Sequence, residues 1–579
     1  MINPRTAVPA LALAILTAPG SAHDEDWRKL ADATPPVEGP IWRLGDPGVR
    51  GPEFPASGIT CMSVLPLNTF GLGSTKGNDC WGYVSKTGRE YAIFGQEKGF
   101  GVVEVTDPAN PIILASIPGP TSLWHDVKVV GDYAYGVSQG GAGTQVIDLS
   151  RADEGIATLV HNWTDNTAWN AAHNIICNED NGHLYVCGAN FGNGGLAWLD
   201  LADPLRPSPQ AAWADMYVHD ACVVTMDSGA FAGREIAFCA SGLGGGWNDT
   251  GLRIVDFTDK LNPVVIATEF WSGAGYSHQV WLSEDRQYLF LGDEYDEIER
   301  GHSTRTRVFD ISDLTNPFLA ATFTNGLGVI DHNQYVVGDY LFQANYTSGL
   351  RIFDVSNPLN ASEVAWIDTF PTSDIRAFNG AWSNYPFFPS GNVLISDMAR
   401  GLVVVRPDAD LQDRLRLVLP DAPATVSPDG GDVLLLTIDE MNVTLDPSSV
   451  ELVYDGGLGD TVVAGEPGKE AGVWEFAVPA GVCGGTASYH FRAATALGEA
   501  YTLPADSPAQ AITAAVGEDC PPACFADIDG NGDLNIDDVD AFVAGFVAAD
   551  LGVADCDGSG GLNIDDVDCF VASFVGGCL

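Results

Sequence analysis

A strand-like signature recurs in seven copies between residues 80 and 410, and it constrains the fold more than any other feature. Each copy is a short apolar run that ends in a charged residue, and successive charged residues are 44 to 56 positions apart. Periods of about 40–50 residues in a chain of short strands are typical of a β-propeller with four strands per blade. The pattern predicts seven blades, with six as the alternative. The charged column is Glu104, Asp148, Asp200, Asp256, Asp310, Asp354 and Arg406.

Five of the ten histidines form a second column, at one fixed place in five of these units. Each stands just before an apolar strand, which in a propeller would be the innermost strand of its blade. The sequence therefore predicts imidazoles around one mouth of the central channel. The five are His125, His173, His219, His278 and His332.

Four acidic residues could converge on the same mouth: Asp126, Asp220, Asp293 and Glu294. Imidazole suits zinc, copper and nickel, and a carboxylate can complete such a ligand set. We therefore regard the five histidines and four acids as candidate ligands for a channel ligand or a transition metal. Two alternatives remain open. Each imidazole could fasten its own strand through hydrogen bonds, or one could serve as a general base.

A twelve-residue segment rich in side-chain oxygen occurs twice near the end of the sequence, 28 residues apart. Calcium takes about 6–8 oxygen ligands, and a twelve-residue loop with glycine at position 6 supplies them. The sequence therefore predicts two bound calcium ions. The predicted ligands are Asp527, Asp529, Asn531, Asp533, Asn535 and Asp538 in the first loop, and Asp555, Asp557, Ser559, Gly561, Asn563 and Asp566 in the second.

Each calcium loop leads into one helix and has no helix before it. The apolar residues at helical spacing are Val539, Phe542, Val543 and Phe546, then Val567, Phe570, Val571 and Phe574. This duplicated pattern resembles a type I dockerin of the variety that ends in Gly-Cys, and the resemblance covers residues 520–579. It implies a small α-helical module that docks onto a cohesin-type partner. Asp538 and Asp566 stand where an EF-hand loop usually has glutamate.

The repeat units resemble the LVIVD-repeat proteins, specifically the choice-of-anchor B family. The matching residues include Glu90 to Ala92, Trp124 to Asp126 and the Val-x-Asp-x-Ser strands, over about residues 75–408. The resemblance implies a secreted propeller whose C-terminal attachment device differs between members. It implies no established activity.

Composition and patterning divide the rest of the chain. Residues 1–22 have the charged start, short apolar run and small residues of a secretory signal peptide, and no later run reaches the ~20 apolar residues of a membrane span. Residues 23–74 lead into the propeller, which takes residues 75–410. Residues 411–516 alternate polar and apolar positions, which is typical of an immunoglobulin- or fibronectin III-like β-sandwich acting as a spacer.

Export would place the twelve cysteines where disulfides form. Cys177 and Cys187 flank one predicted hairpin, Cys222 and Cys239 flank another, and Cys61 could pair with Cys80. The spacing does not fix the pairing. The remaining six are Cys483, Cys520, Cys524, Cys556, Cys569 and Cys578.

The chain has 77 acidic and 27 basic residues, a net charge of −50 that repels nucleic acid and anionic membranes. Neither a His-Glu-x-x-His motif nor a phosphate-loop motif occurs in the sequence. We therefore predict a secreted or cell-surface, mainly β, non-enzymatic binding or assembly protein. It would have no catalytic residues and no nucleic-acid partner, its propeller ligand is unknown, and the dockerin would tether it to a cohesin-type domain.

The alternative is an extracellular enzyme, for example a carbohydrate-active one, or a metal-binding propeller, either using the histidine-lined mouth.

Overall fold

The computed structural model describes most of the chain, in two compact units. One comprises Met1–Arg416 and Glu440–Val443, and the other comprises Leu417–Asp439 and Thr444–Leu579. The predicted signal peptide, residues 1–22, lies outside the described residues. The described residues are 27–32, 34–46, 54–164, 169–242, 249–408, 414–504, 507–517, 528, 535–554, 556 and 561–576.

In the first unit, the described residues form seven antiparallel sheets of four or five strands. Short turns join successive strands, so neighbours in the chain pair with each other. Sheets 1 to 3 consist of Gly77–Val84, Glu90–Gln96, Gly99–Glu104 and Ile112–Pro118; His125–Val130, Tyr133–Ser138, Thr144–Asp148 and Thr158–Trp163; and Asn174–Asn178, His183–Cys187, Leu196–Asp200 and Ser208–Trp213. Sheets 4 and 5 consist of Asp220–Thr225, Glu235–Ser241, Gly251–Asp256 and Val264–Glu269; and Ser277–Leu282, Tyr288–Asp293, Thr306–Asp310 and Phe318–Phe323.

Sheets 6 and 7 each gain strands from the N-terminal segment. Ile59–Leu65 pairs antiparallel with Gly401–Pro407, so the predicted lead-in of residues 23–74 closes the last sheet. Sheet 6 consists of Gln334–Val337, Tyr340–Ala344, Leu350–Asp354, Ser362–Ile367 and Ala56–Ser57, and sheet 7 of Ala381–Tyr385, Val393–Asp397, Gly401–Pro407, Ile59–Leu65 and Trp42–Arg43.

The seven sheets follow one another in a ring. The first strand of each sheet lies against the first strand of the next, and the first strand of sheet 7 lies against that of sheet 1. One apolar cluster at this junction joins Trp81 and Phe94 of sheet 1 to Tyr385 and Leu394 of sheet 7. Burial of such apolar area is the dominant favourable term in folding. The arrangement is propeller-like.

Five acids of the charged column stand at the ends of third strands. In five sheets the carboxylate accepts a hydrogen bond of 2.8–3.0 Å from the N–H two residues later, which stops the strand in a turn. These carboxylates therefore have a structural role. They are Asp148, Asp200, Asp256, Asp310 and Asp354.

Helices in the first unit are short, and none of the described helices of the chain is long and apolar enough to cross a bilayer. The α-helices are Trp27–Ala31 and Asp296–Arg300. The 3-10 turns are Leu67–Phe70, Ala152–Glu154, Gly192–Gly194, Gly229–Phe231 and Pro358–Asn360.

The second unit contains two sheets, whose side chains alternate between buried and exposed as the sequence pattern requires. Phe476 of one sheet lies 5.1 Å from Phe491 of the other, ring centre to ring centre, so the sheets share a core. One sheet consists of Arg414–Val418, Val433–Met441, Val473–Ala477 and Glu466–Pro467, and its first strand begins at the boundary of the units. The other sheet consists of Thr425–Val426, Ile512–Val516, Thr486–Ala494, Glu451–Asp455, Thr461–Ala464 and Ala500–Leu503. A 3-10 turn spans Pro447–Ser449.

Three helices end the described chain: Ile536–Ala548, Leu551–Ala554 and Ile564–Gly576. The rings of Phe542 and Phe570 stack at 4.1 Å and form the centre of a small core. A disulfide joins Cys556 to Cys569.

The cysteine pairs suggested by the hairpins are wrong. Among the described cysteines, six are free thiols: Cys61, Cys80, Cys177, Cys187, Cys222 and Cys239. The reason is the strand register, because Cys177 lies opposite Leu184, and Cys222 lies opposite Phe238. A cysteine at each end of a hairpin does not place the two sulfurs across from each other.

We expect Gly82→Ala to lower the free energy of unfolding of the first unit by about 1–3 kcal/mol, as overpacking does. The added Cβ would lie 2.1 Å from the ring of Tyr385, where sheets 1 and 7 meet. Gly39→Ala is the control, because its Cβ meets nothing within 4 Å. Urea unfolding followed by tryptophan fluorescence measures both, and equal stability of the two variants would contradict ring closure here.

Candidate functional site

Four of the five column histidines lie in contact. Ring centres are 4.4 Å apart between His173 and His219, 4.4 Å between His219 and His278, and 4.2 Å between His278 and His332. They meet because each stands at or just before the first strand of its sheet, and these strands line the ring. His125 is not in this chain of rings; it packs edge-on against Phe100.

Hydrogen bonds fix the orientation of three imidazoles through Nδ1. The partners are Gln139 Nε2 for His173 at 2.8 Å, Tyr276 OH for His219 at 2.7 Å, and the carbonyl of Trp382 for His332. A carbonyl only accepts, so His332 carries its proton on Nδ1 and a lone pair on Nε2. This is the tautomer that binds a metal or accepts a hydrogen bond through Nε2.

Glu294 brings a carboxylate to two of these rings. It follows strand Tyr288–Asp293 and is fully buried. Its Oε1 lies 3.5 Å from His332 Nε2 and accepts a 2.7 Å hydrogen bond from Tyr346 OH, while its Oε2 lies 3.7 Å from His278 Nε2. The ligand atoms of His278, Glu294 and His332 all lie within 4.8 Å of one another. Two imidazoles and one carboxylate form a ligand set that suits a transition metal.

A lysine from the N-terminal segment completes this cluster. Lys29, in helix Trp27–Ala31, places its Nζ 2.8 Å from Glu294 Oε1 and 4.9 Å from the ring centre of Trp382. The side chain is buried and makes a charge-assisted contact with the carboxylate. The sequence contains no signal for this residue, since 265 positions separate it from Glu294 and it lies outside every repeat.

Protonation states follow from burial. Burial lowers the pKa of His278 to about 4, with Glu294 opposing the shift and Lys29 adding to it. Burial, His278 and Lys29 together hold the pKa of His332 well below its usual range. Burial, the largest influence, would raise the pKa of Glu294, but Lys29, His278 and the Tyr346 hydroxyl together hold it below its ordinary value. At neutral pH the cluster therefore has neutral imidazoles and an ionised carboxylate, the states that metal binding requires.

The other three predicted acids have structural contacts. Asp126 accepts hydrogen bonds from the backbone N–H of Val127 and of Ile175 and pairs with Lys128 Nζ at 2.9 Å. Asp220 accepts the N–H of Ala221. Asp293 accepts the N–H groups of Gly275 and Tyr276. Of the four predicted acids, Glu294 is the one grouped with imidazole nitrogens in the described chain.

A second cluster, of two buried acids and a histidine, was not predicted from the sequence. It lies on and just after helix Asp296–Arg300. Ligand atoms of Asp296, Glu297 and His302 lie within 4.8 Å of one another, and Arg307 pairs with Asp296 at 2.5 Å. Burial and the carboxylates of Asp331 and Asp296 raise the pKa of Glu297 to about 12, so it is protonated at neutral pH. The proton removes one of the like charges from this site.

Both calcium loops are described only in part. Residues Asp527, Asp529, Asn531, Asp533, Asp555, Asp557 and Ser559 lie outside the described residues. In the described part, Asp538 and Asp566, at loop position 12, are fully buried. Each accepts the N–H of the residue at position 9, Asn535 at 3.0 Å and Asn563 at 2.8 Å. The two loops thus bring positions 9 and 12 together in the same way.

Comparison with known proteins identifies the repeat. Residues 124–151 and 334–369 match the family model described as the LVIVD repeat. These two segments are therefore LVIVD repeats. No curated protein matches the chain.

Three solved structures are distantly similar, each at 12% sequence identity. Hydrazine synthase of Kuenenia stuttgartiensis has a TM-score of 0.38, with 56% of this chain and 94% of that chain covered. A functionally unknown protein from Desulfotomaculum acetoxidans DSM 771 has 0.36, with 53% and 88% covered. BamB from Moraxella catarrhalis has 0.33, with 63% and 95% covered.

The buried imidazole of His125 should make the free energy of unfolding depend on pH. Burial lowers its pKa to about 4, against an ordinary value near 6.5. Between these values the unfolded chain binds a proton that the folded protein does not, so stability is lost as pH falls through this window, by about 2 kcal/mol at pH 5. We expect His125→Leu to lose about 2 kcal/mol less than the wild type between pH 7.5 and pH 5 in urea unfolding. An equal loss in both proteins would contradict the shift.

Proposed function

We propose that this is an exported, non-enzymatic binding or assembly protein: a seven-bladed choice-of-anchor B propeller, a β-sandwich spacer and a calcium-dependent dockerin that tethers it to a cohesin-type partner. The observation that carries the binding role is the joined cluster of His278, Glu294 and His332. Hydrogen bonds orient His332 and Glu294 before any ligand arrives, which lowers the entropic cost of holding one. Four contacting imidazoles are more than a general base needs.

Two observations support the calcium-dependent tether. Position 12 of each loop holds a buried carboxylate bonded to position 9, and the two following helices share one aromatic core. Calcium would join the remaining oxygen ligands to these two positions and neutralise carboxylates that otherwise repel one another. The disulfide between Cys556 and Cys569 agrees with an extracellular location.

We expect the full-length protein, after treatment with chelator, to bind two calcium ions in isothermal titration calorimetry. At 100 times the dissociation constant, the ions would stabilise the dockerin by about 2.7 kcal/mol each. The double variant Asp538→Asn/Asp566→Asn should bind neither ion, whereas Asp550→Asn, an acidic residue of the same module outside the loops, should bind both. Two ions bound by the double variant would overturn the proposed ligand set.

A transition metal at the mouth is the second candidate, because His278, Glu294 and His332 converge within 4.8 Å. We expect full-length protein with its loops saturated by calcium to bind Co²⁺ and to show the visible absorption of imidazole-bound cobalt. His278→Leu should weaken this binding at least tenfold. His125→Leu is the matched control, because His125 has the same place in its sheet but lies outside the cluster. Equal binding by both variants would reject the site.

A further inference from the structure

We propose that Lys29 is a built-in occupant of the mouth, whose ammonium competes with a divalent metal for Glu294. The inference rests on the metal site proposed above and adds its regulation: the N-terminal segment closes the site, and a metal enters only when Lys29 leaves. It follows from the contacts of Lys29, from the anchoring of its segment and from the charge of the cluster.

Lys29 occupies the position of a bound cation. Its side chain is 3% exposed, and its Nζ lies 2.8 Å from Glu294 Oε1, the same oxygen that faces His332 Nε2 at 3.5 Å. Since His332 carries its proton on Nδ1, two lone-pair acceptors face each other there, and a cation beside them is favourable. The rings of Trp382 and Phe378 lie 4.9 and 5.6 Å from the ammonium and add cation–π attraction.

The chain that follows Lys29 is fastened next to the mouth. Asp32 accepts a hydrogen bond from Phe378 N through Oδ2 at 3.0 Å and another from Asn379 through its carbonyl. Thr34 donates to Asn379 Oδ1 at 3.0 Å, and Val37 N donates to the carbonyl of Ala399 at 2.8 Å. These bonds keep Lys29 at high effective concentration even when its ammonium is out of the site.

Helix Trp27–Ala31 has five residues, too few to be stable by itself. Its place therefore depends on the contacts of its side chains, among them Lys29 with Glu294 and Arg28 with the ring of Tyr295. The helix can leave the mouth without breaking the bonds of Asp32, Thr34 and Val37. A segment fastened by Asp32, Thr34 and Val37, with Arg28 and Lys29 held before them by side-chain contacts, is suited to act as a removable plug.

The net charge of the site prevents the Lys29 ammonium and a divalent metal from occupying it together. Lys29 and Glu294 form an ion pair with no net charge. A divalent ion with Glu294 would leave one positive charge, and a retained ammonium would add a second in a buried site, where like charges repel strongly. Binding of the metal thus requires release of Lys29, and removal of the lysine charge should tighten metal binding.

The test compares Lys29→Met with wild type in the full-length protein, using Co²⁺ as the probe and saturating calcium in the loops. We expect Lys29→Met to bind Co²⁺ at least tenfold more tightly, Lys29→Arg to remain like wild type because it keeps the charge, and Lys86→Met, a surface lysine, to change nothing. Equal affinity of Lys29→Met and wild type would overturn the competition and leave the metal site standing. Absence of imidazole-bound cobalt in every protein would reject the site itself.

A second measurement uses the wild type and does not depend on how well a variant folds. Release of the plug exposes Arg28 and Lys29, so Co²⁺ should speed tryptic cleavage after these residues, and His278→Leu should abolish that acceleration. Cleavage at an unchanged rate with Co²⁺ bound would show that metal and Lys29 occupy the mouth together, which contradicts the proposal.

Discussion

Closure of the ring is the constraint on which the rest of the first unit depends. Sheet 7 takes its fourth strand, Ile59–Leu65, from the opposite end of the unit, through hydrogen bonds to Gly401–Pro407. Because this pairing is non-local, its loop-closure entropy must be offset by burial of the strand, whose Val64 and Leu65 are among the core residues. The same pairing fixes where the N-terminal segment runs. It is the reason that Lys29 can reach a carboxylate 265 positions away.

Several buried acids are paired with a cation, and one carries a proton. Glu294 has Lys29, Asp126 has Lys128, and Asp296 has Arg307. Glu297 is protonated, because burial and its acidic neighbours raise its pKa. A chain with 77 acidic and 27 basic residues has few cations, yet some of them lie in its interior. Since an unpaired buried charge costs far more than an exposed one, the placement of these few cations decides where acids can be buried.

Local sequence patterns predicted where strands form, but they did not predict which distant segments contact one another. The recurring apolar runs became the third strands, and the histidine column did place four imidazoles together, because both depend on period and on position within a unit. His125 shares the column but lies against Phe100, since a column fixes the start of a strand and not the direction of a side chain. The position of Lys29 and the added strands of sheets 6 and 7 depend on pairings between distant segments, which no repeat encodes.

The two proposed ion sites use different chemistry, and this difference keeps them separate. The two loops of the proposed dockerin contain residues with carboxylate and amide oxygen, which suit a hard ion such as calcium, and calcium demands more oxygen ligands than the mouth has. The mouth offers two imidazoles and one carboxylate, which suit a softer transition metal. Calcium at extracellular concentration would therefore hold the tether folded without displacing Lys29 from Glu294. Attachment and occupancy of the mouth would then respond to different ions, so the protein could remain tethered while its mouth opens or closes.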